Sequence, residues 1–321
     1  MNYKSVLITG GCGFIGSNFI EYLMGKKPNI RVINVDKLSY ASSIRVNNKF
    51  KKLKNYSFFK CNIKNDKIGE IIKKNKIDLI VNFAAESHVD NSIKQPKQFY
   101  ENNIGGVLNL LTKIIDKKIR FHQISTDEVF GSLPLKSKRK FEITDKYDPS
   151  SPYSVSKASA DMFVKAFART YGVEYSISYC SNNYGQYQNK EKLIPKIIQS
   201  CLNEVNIPIY GKGQNIRDWI YVKDHCEGIY KLLFGKNYIN EIMFGGNTKI
   251  DNLNLTNKII EILERRTNLK NLKKLIKFVE DRKGHDLSYQ VSLNSAKRIK
   301  WKPTTSLEIG LNKTIDWYLK N

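Results

Sequence analysis

The sequence predicts an α/β fold built on a doubly wound parallel sheet, and three observations predict it. Short apolar runs alternate with longer segments of helical periodicity through the first 185 residues. A glycine cluster, Gly10-Gly11-Cys12-Gly13 with Gly16, separates the first run from the first helical segment. The second run ends at Asp36, about 20 residues past the last of those glycines.

The first run, Val6–Ile8, has strand character, and Phe14–Met24 reads as a helix, so the glycines form the tight turn between them. Unpaired backbone N–H groups and the positive end of the helix dipole then face the space above the strand, where a diphosphate is the expected guest. The glycines satisfy two registers, G-x-G-x-x-G at Gly11, Gly13 and Gly16, and T-G-x-x-G-x-x-G at Gly10, Gly13 and Gly16. Val32–Val35 is the second strand, and the Asp36 carboxylate at its end can accept from the adenosine ribose hydroxyls of NAD. Lys37 beside it leaves room for NADP, because a cation could meet a 2′-phosphate. A glycine-rich turn in another α/β protein is the bland alternative, which the order of strand, loop, helix, strand and acid disfavours.

Tyr56–Lys60 follows as a third strand and Asp66–Lys74 as a helix. Asp78–Phe83 is an apolar strand of the kind buried in a parallel sheet. Phe99–Ile115 reads as a long helix, Arg120–Ser125 as a strand, Pro152–Tyr171 as another long helix, and Glu174–Tyr179 as a strand. Ligands of such sheets sit beyond the carboxyl ends of the strands, which directs attention to Ala84–Asp90, Ser125–Gly131 and Ser181–Gly185. After about residue 185 the alternation loosens, although Leu253–Arg265 and Leu307–Tyr318 read as helices. The expected division is a Rossmann domain over 1–185 carrying cofactor and catalytic residues. Residues 186–321 are expected to form mainly a smaller substrate-binding lobe, with some segments returning to the first domain.

With 321 residues and 41% apolar content the chain can bury a sizeable core. No apolar stretch is long enough for a membrane helix, and no signal-peptide pattern precedes the first strand. Five scattered cysteines without a C-x-x-C point to a reducing compartment, so a cytoplasmic protein without disulfides or zinc is expected. The four histidines lie far apart and give no metal-ligand spacing. The net charge of +24 invites a nucleic-acid reading, but the lysines are dispersed rather than gathered on one element. Solvated outer faces explain them better, and no nucleic-acid or membrane partner is expected. The basic run Lys136–Lys140 is read as a solvated loop.

Two groupings carry chemistry. Tyr153 and Lys157 stand at i and i+4 of the long helix and share a face. An ammonium near a phenol favours phenolate and is expected to lower the Tyr153 pKa, fitting it to take a proton from a hydroxyl whose carbon loses hydride. Thr126-Asp127-Glu128 follows a strand directly. Two adjacent carboxylates in different environments can be pushed apart in pKa, one serving as acid and the other as base. Helix capping is the bland reading of the same pair.

These stretches resemble the extended short-chain dehydrogenase/reductases, and within them the nucleoside-diphosphate-glucose 4,6-dehydratases. The resemblance runs through Thr9–Gly16, Ala84–Asp90, Ser125–Gly131, Ser151–Lys157, Ser181–Gly185, Glu191–Pro195, Pro208–Gly211, Ile216–Trp219, Asp281–Asp286 and Trp301–Pro303. The glycine turn and the Tyr-Lys pair indicate only the superfamily. The Asp127-Glu128 pair is more specific, since related 4-epimerases lack it, and related decarboxylases and GDP-mannose dehydratases carry a small hydroxyl residue where Asp127 stands.

The resemblance implies an NAD-dependent lyase acting on dTDP-glucose or UDP-glucose, a step toward deoxysugars such as rhamnose. Tyr153 would take the O4 proton as hydride leaves C4, Glu128 the C5 proton, and Asp127 would protonate the departing O6. Thr126 would bond O4, and Lys157 the nicotinamide ribose. Hydride returning to C6 would give the 4-keto-6-deoxy sugar.

Gly10, Gly13, Phe14, Ile15, Gly16, Asp36, Lys37, Leu38, Asn62, Ile63, Ala84, Ala85, Tyr153, Lys157 and Asn183 would face the cofactor. Ser87, Thr126, Asn182, Lys192, Leu193, Pro208, Tyr210, Arg217, Asn252, Arg282 and His285 would face the sugar nucleotide, with Arg217 on the diphosphate. A homodimer pairing the two long helices is implied as well. A 4-epimerase and a non-catalytic NAD-binding scaffold remain as alternatives. Departures from the family pattern are Asn62 for an aspartate, Phe130 for a tyrosine, Asn102 for a threonine, and Gln188-Asn189-Lys190 for an aromatic-proline stretch.

Overall fold

The computed structural model describes residues 2–321. Its strands, in chain order, are β1 (Ser5–Thr9), β2 (Arg31–Asp36), β3 (Tyr56–Lys60), β4 (Leu79–Asn82), β5 (Arg120–Thr126), β6 (Tyr175–Cys180), β7 (Asn182–Tyr184), β8 (Ile207–Tyr210), β9 (Ile216–Tyr221), β10 (Glu241–Phe244), β11 (Lys249–Asp251) and β12 (Ile276–Val279). Seven of them form one parallel sheet in the order β10-β6-β5-β4-β1-β2-β3. This is the Rossmann-type arrangement expected from the alternation.

Strand residues alternate between two cores, as a period of two requires. Leu7, Ile33, Ile80, Phe121 and Ile177 pack on one face with Leu110 and Val164. Val6, Ile8, Val32, Leu79 and Val81 pack on the other with Phe19, Leu23 and Ile229. Helices cover both faces, which is why β1, β4 and β5 are buried along their whole length. The chain runs outward from β1 to β3, then returns to the far side of β1 for β4. That reversal opens a crevice at the carboxyl ends of β1 and β4.

The helix Pro152–Tyr171 lies as expected. Ser151 caps it in a reciprocal box with Ser154, Pro152 occupies the first turn, and Gly172 closes it at φ +65°. The helix expected over Phe99–Ile115 is broken differently. A short turn Pro96–Phe99 leads into a π-helical segment Tyr100–Gly105, and the regular helix is only Gly106–Thr112. The wide turn lets the Asn103 side chain clamp the backbone of Glu86, accepting from its N–H at 2.7 Å and donating to its carbonyl at 3.0 Å.

The region after residue 185 is more regular than its sequence suggests. It contains the helices Leu193–Leu202 and Val222–Phe234, a parallel pair β8–β12, and the strands β11 and β9, which form a three-stranded sheet with β7 of the first part. β10 rejoins the main sheet beside β6. A third core of Tyr184, Ile194, Ile198, Ile209, Leu255, Ile259 and Leu311 holds this region together. Its strands are three to six residues long, too short for periodicity to declare them. Among the described residues, no helix is long and apolar enough to cross a membrane.

Candidate active site

The site begins where β1 ends. Gly10 has φ +67°, and a Cβ there would stand 2.6 Å from the Ala84 nitrogen at the end of β4. A Cβ on Gly16 would collide with the Gly10 carbonyl. These glycines let the turn close and bring the helix Phe14–Lys26 directly over the strand. Gly13 is its N-cap and has no side chain to cap the first turn, so the N–H groups there stay open to the crevice. Asp36 takes hydrogen bonds from the Cys12 N–H at 2.9 Å, the Leu38 N–H at 2.7 Å and the Ser42 hydroxyl at 3.0 Å. Lys37 donates to Glu86 at 2.5 Å.

One continuous cavity runs from this turn to the end of β5. Its walls include Gly10, Gly13, Phe14, Ile15, Gly16, Asp36, Lys37, Asn62, Ile63, Ala84, Ala85, Ser87, Thr126, Asp127, Glu128, Tyr153, Lys157, Asn182, Asn183 and Lys192. Leu38 is absent from that wall, held by its backbone at φ +59° to Asp36. The Asn62 Oδ1 accepts from the Lys64 N–H at 3.0 Å, which leaves its amide protons for the cavity.

At the far end, Thr126 caps a short 3-10 helix, Asp127–Phe130, by accepting from the Glu128 N–H at 3.3 Å. The cap is therefore Thr126 and not the acid pair, whose side chains are left to the cavity. Asp127 is buried, with Oδ1 at 3.3 Å from the Thr126 hydroxyl and Oδ2 without a partner. Burial first, then the charges of Glu128 and Asp218, push its carboxyl well above the ordinary range. Glu128 is raised too, by burial, against the pull of Arg217. The two acids therefore differ as an acid–base division of labour requires, with Asp127 the better proton holder.

The expectation for Tyr153 needs correction. Burial and then the charge of Glu128 push its hydroxyl well above the usual tyrosine range, while Thr126 pulls it down. Lys157 sits a turn further along the same helix, and its ammonium donates to the Ile124 carbonyl at 2.6 Å. The i, i+4 spacing brings the two side chains to one cavity, but the lysine does not bring the phenol toward neutral pH here.

The remaining substrate candidates form a second group outside the main cavity wall. Arg217 is buried on β9 and donates to the carbonyls of Ile216, Leu287 and Asp286 at 2.8, 3.4 and 3.0 Å. Arg282 donates to Asp90 at 2.5 Å, and the Tyr210 hydroxyl donates to the same carboxylate at 3.1 Å. His285 pairs with Asp281 at 2.6 Å. The charges of Arg217, Lys192 and Arg282 all reach Glu128, so this group borders the acid pair. Asn252 starts the helix Asn252–Arg266, with a buried Oδ1 lacking a partner. Pro208 lies in β8, and Leu193 starts the helix Leu193–Leu202 against the third core.

Sequence reasoning missed several neighbours. Glu86 neutralises Lys37, and Asn102 donates to the same acid at 3.2 Å. Gln188 and Asn189 line the cavity, Gln188 donating to the Asn183 carbonyl at 2.9 Å, so that departure lies inside the site. Phe130, by contrast, is buried among Phe141, Tyr147 and Tyr179.

With this geometry in hand, the comparisons are specific. The family described as GDP-mannose 4,6 dehydratase matches residues 7–314. A dTDP-glucose 4,6-dehydratase of Escherichia coli is 39% identical, covering 98% of this chain and 94% of its own length. The chain belongs to this 4,6-dehydratase family. A crystal structure of dTDP-glucose 4,6-dehydratase from Bacillus anthracis in complex with NAD superposes with a TM-score of 0.89 at 38% identity, over 99% of this chain and 97% of the other. A UDP-glucose 4-epimerase from Thermotoga maritima reaches a TM-score of 0.87 at 26% identity, over 98% and 99% of the two chains. Dehydratase and epimerase therefore share this backbone, and the contents of the cavity must separate them.

Proposed function

We propose that this chain is an NAD-dependent nucleoside-diphosphate-glucose 4,6-dehydratase. The observation that carries the proposal is Asp127: a buried, proton-holding carboxyl with an unpartnered oxygen, beside Glu128, in the same cavity as the glycine turn and Tyr153. The cofactor fits its end of that cavity, because the Gly10 and Gly16 turn leaves room only for backbone and presents open N–H groups to a diphosphate.

Held by the glycine turn and Asp36, NAD would supply the hydride chemistry, as the acceptor for the hydride of C4 and the donor to C6. The chain's own residues handle the protons. Tyr153 takes the O4 proton as phenolate, a form that burial and the Glu128 charge disfavour and the Thr126 hydroxyl favours, while Lys157 would hold the nicotinamide ribose. Thr126 donates to O4 and polarises the ketone formed there. Glu128 removes the acidified C5 proton, and Asp127 delivers its proton to O6 so that water leaves. Arg217, Arg282 and Lys192 serve the diphosphate and keep Glu128 ionisable. Ser87, Asn182, Tyr210, Asn252 and His285 complete the sugar-nucleotide side.

We infer a cofactor domain over 1–185 that also carries the catalytic residues, and over 186–321 mainly a substrate lobe, from which β10 returns to the main sheet. A cytoplasmic location agrees with five free, buried cysteines. A homodimer is proposed from the exposed apolar side chains Val155, Met162 and Phe163 on the helix Pro152–Tyr171, together with exposed Tyr100 in the π-helical segment Tyr100–Gly105. Light scattering on dilution tests this, and Met162→Glu should give monomer.

The deciding experiment is incubation with dTDP-glucose and, separately, UDP-glucose in the presence of NAD. A dehydratase yields a 4-keto-6-deoxy product that absorbs strongly in alkali. The galacto isomer would mean epimerase, and no conversion of either would leave a binding scaffold.

A further inference from the structure

Lys157 is buried, and among the described residues its ammonium donates to the Ile124 carbonyl alone, at 2.6 Å. A buried cation needs a counter-charge. One helical turn onward, at i+4, stands Asp161, fully buried, with one oxygen accepting from the Ser125 hydroxyl and the other without a partner. We propose that Asp161 is the positioning residue of this active site, the buried carboxyl that favours the ammonium form of Lys157 and ties the Tyr153–Lys157 helix to the strand end from which Thr126, Asp127 and Glu128 project. The inference deepens the dehydratase reading and rests on it for the role of Lys157.

The surroundings single out Asp161 for this task. Facing it are Lys157 and Lys165 from its own helix, Ser125 from β5, Tyr179 from β6, Glu241 from β10, and Tyr147 from the loop before the helix. Glu241 is already engaged, by Lys165 at 2.8 Å and the Tyr179 hydroxyl at 2.7 Å. Tyr147 and Tyr179 bond each other at 2.6 Å. Asp161 is left to Lys157. Burial lowers the Lys157 pKa, and Asp161 is the leading influence that raises it again. Burial in turn lifts Asp161 itself to about 7, with Lys157 and then the Ser125 hydroxyl pulling it down. Each group thus favours the charged form of the other against burial, with Lys157 one turn and Asp161 two turns along the helix from Tyr153.

The test is the pH profile of cofactor reduction in a single turnover with nucleoside-diphosphate glucose, together with NAD affinity against pH, read from protein fluorescence without sugar. Asp161→Asn keeps the shape and an acceptor for Ser125 but removes the charge. Lys157 then loses its proton at lower pH. The alkaline limb of the rate profile should move down by about one pH unit or more, and the alkaline weakening of NAD binding should move with it. Asp161→Glu should return both toward wild type. A rate lowered by one constant factor at every pH, or an unmoved profile, would overturn the proposal. Should the Asn variant not fold, Ser125→Ala removes only the anchor of Asp161. The limb should then move the same way by less, and an unmoved limb is the adverse result. If the wild-type chain converts neither sugar nucleotide, the functional reading fails, while the NAD-binding profile still decides the role of Asp161.

Discussion

Lys37 gives its ammonium to Glu86 at 2.5 Å, so the cation beside Asp36 already has a partner. Glu86 is itself fixed, its backbone clamped by Asn103 and its carboxylate shared with Asn102. The sequence left NADP open on account of Lys37. The Lys37–Glu86 pair argues against NADP, because a 2′-phosphate would face the Asp36 carboxylate and a lysine turned toward another acid. Apo-protein reconstituted with NADP should be less active than with NAD. Glu86→Gln frees Lys37 and should narrow the difference between the two dissociation constants, measured by calorimetry. An unchanged ratio would show that Asp36 alone decides the cofactor.

The two glycines of the first helix should respond oppositely to alanine. A Cβ on Gly16 meets the Gly10 carbonyl, whereas one on Gly25 meets nothing. Gly16→Ala should lower stability by about 1–3 kcal/mol through overpacking and weaken NAD binding. Gly25→Ala should raise stability by about 0.5–1 kcal/mol and leave NAD binding alone. Urea titration of the two variants checks both signs.

Asp127 should cost the fold stability at neutral pH. Its native pKa is raised, so the native state holds a proton that the unfolded chain gives up above about 4. Native stability then falls as pH rises from the unfolded value, by about 1.4 kcal/mol per pH unit until the native group ionises. Asp127→Asn cannot titrate and escapes that loss. It should unfold at a higher temperature than wild type at pH 7, with the advantage shrinking toward pH 4. Equal midpoints at both pH values would mean that Asp127 is not held protonated.

How much was legible in the sequence depended on how local each feature is. The glycine turn, Asp36 and the Tyr153–Lys157 pair are fixed by short-range spacing on one element, and each stands where the spacing puts it. Thr126-Asp127-Glu128 was legible because a strand end places its next residues in the crevice. Lys37–Glu86 joins residues 49 apart, and Arg282–Asp90 joins residues 192 apart, so no periodicity could announce them. The π-helical turn at Tyr100–Gly105 escaped because a period of 3.6 was assumed throughout. The Tyr153 pKa was misread for a different reason. Spacing shows that a cation is near, but burial, which outweighs it, is a property of the whole fold.

The acid pair allows oxidation to be separated from elimination. Tyr153→Phe keeps the ring and its edge contact with Phe99 but removes the group that takes the O4 proton. It should abolish both the transient absorbance of reduced cofactor and product. Asp127→Asn and Glu128→Gln leave Tyr153 in place, so C4 oxidation should persist and reduced cofactor should accumulate while water loss slows. Loss of a general acid or base typically costs about 10² to 10⁴ in rate, enough to make elimination limiting in either variant. The Glu128 charge raises the proton affinity of its neighbour Asp127, so removing that charge also lets Asp127 release its proton more readily. Glu128→Gln should therefore differ from Asp127→Asn in one respect. Solvent deuterium should fail to enter C5 in the Glu128 variant, yet still exchange there in the Asp127 variant, where the base remains and O6 cannot leave. Stopped-flow absorbance with mass analysis of recovered sugar reads both. Wild-type turnover and normal C5 exchange in Glu128→Gln would remove Glu128 from the role of C5 base and return weight to an epimerase.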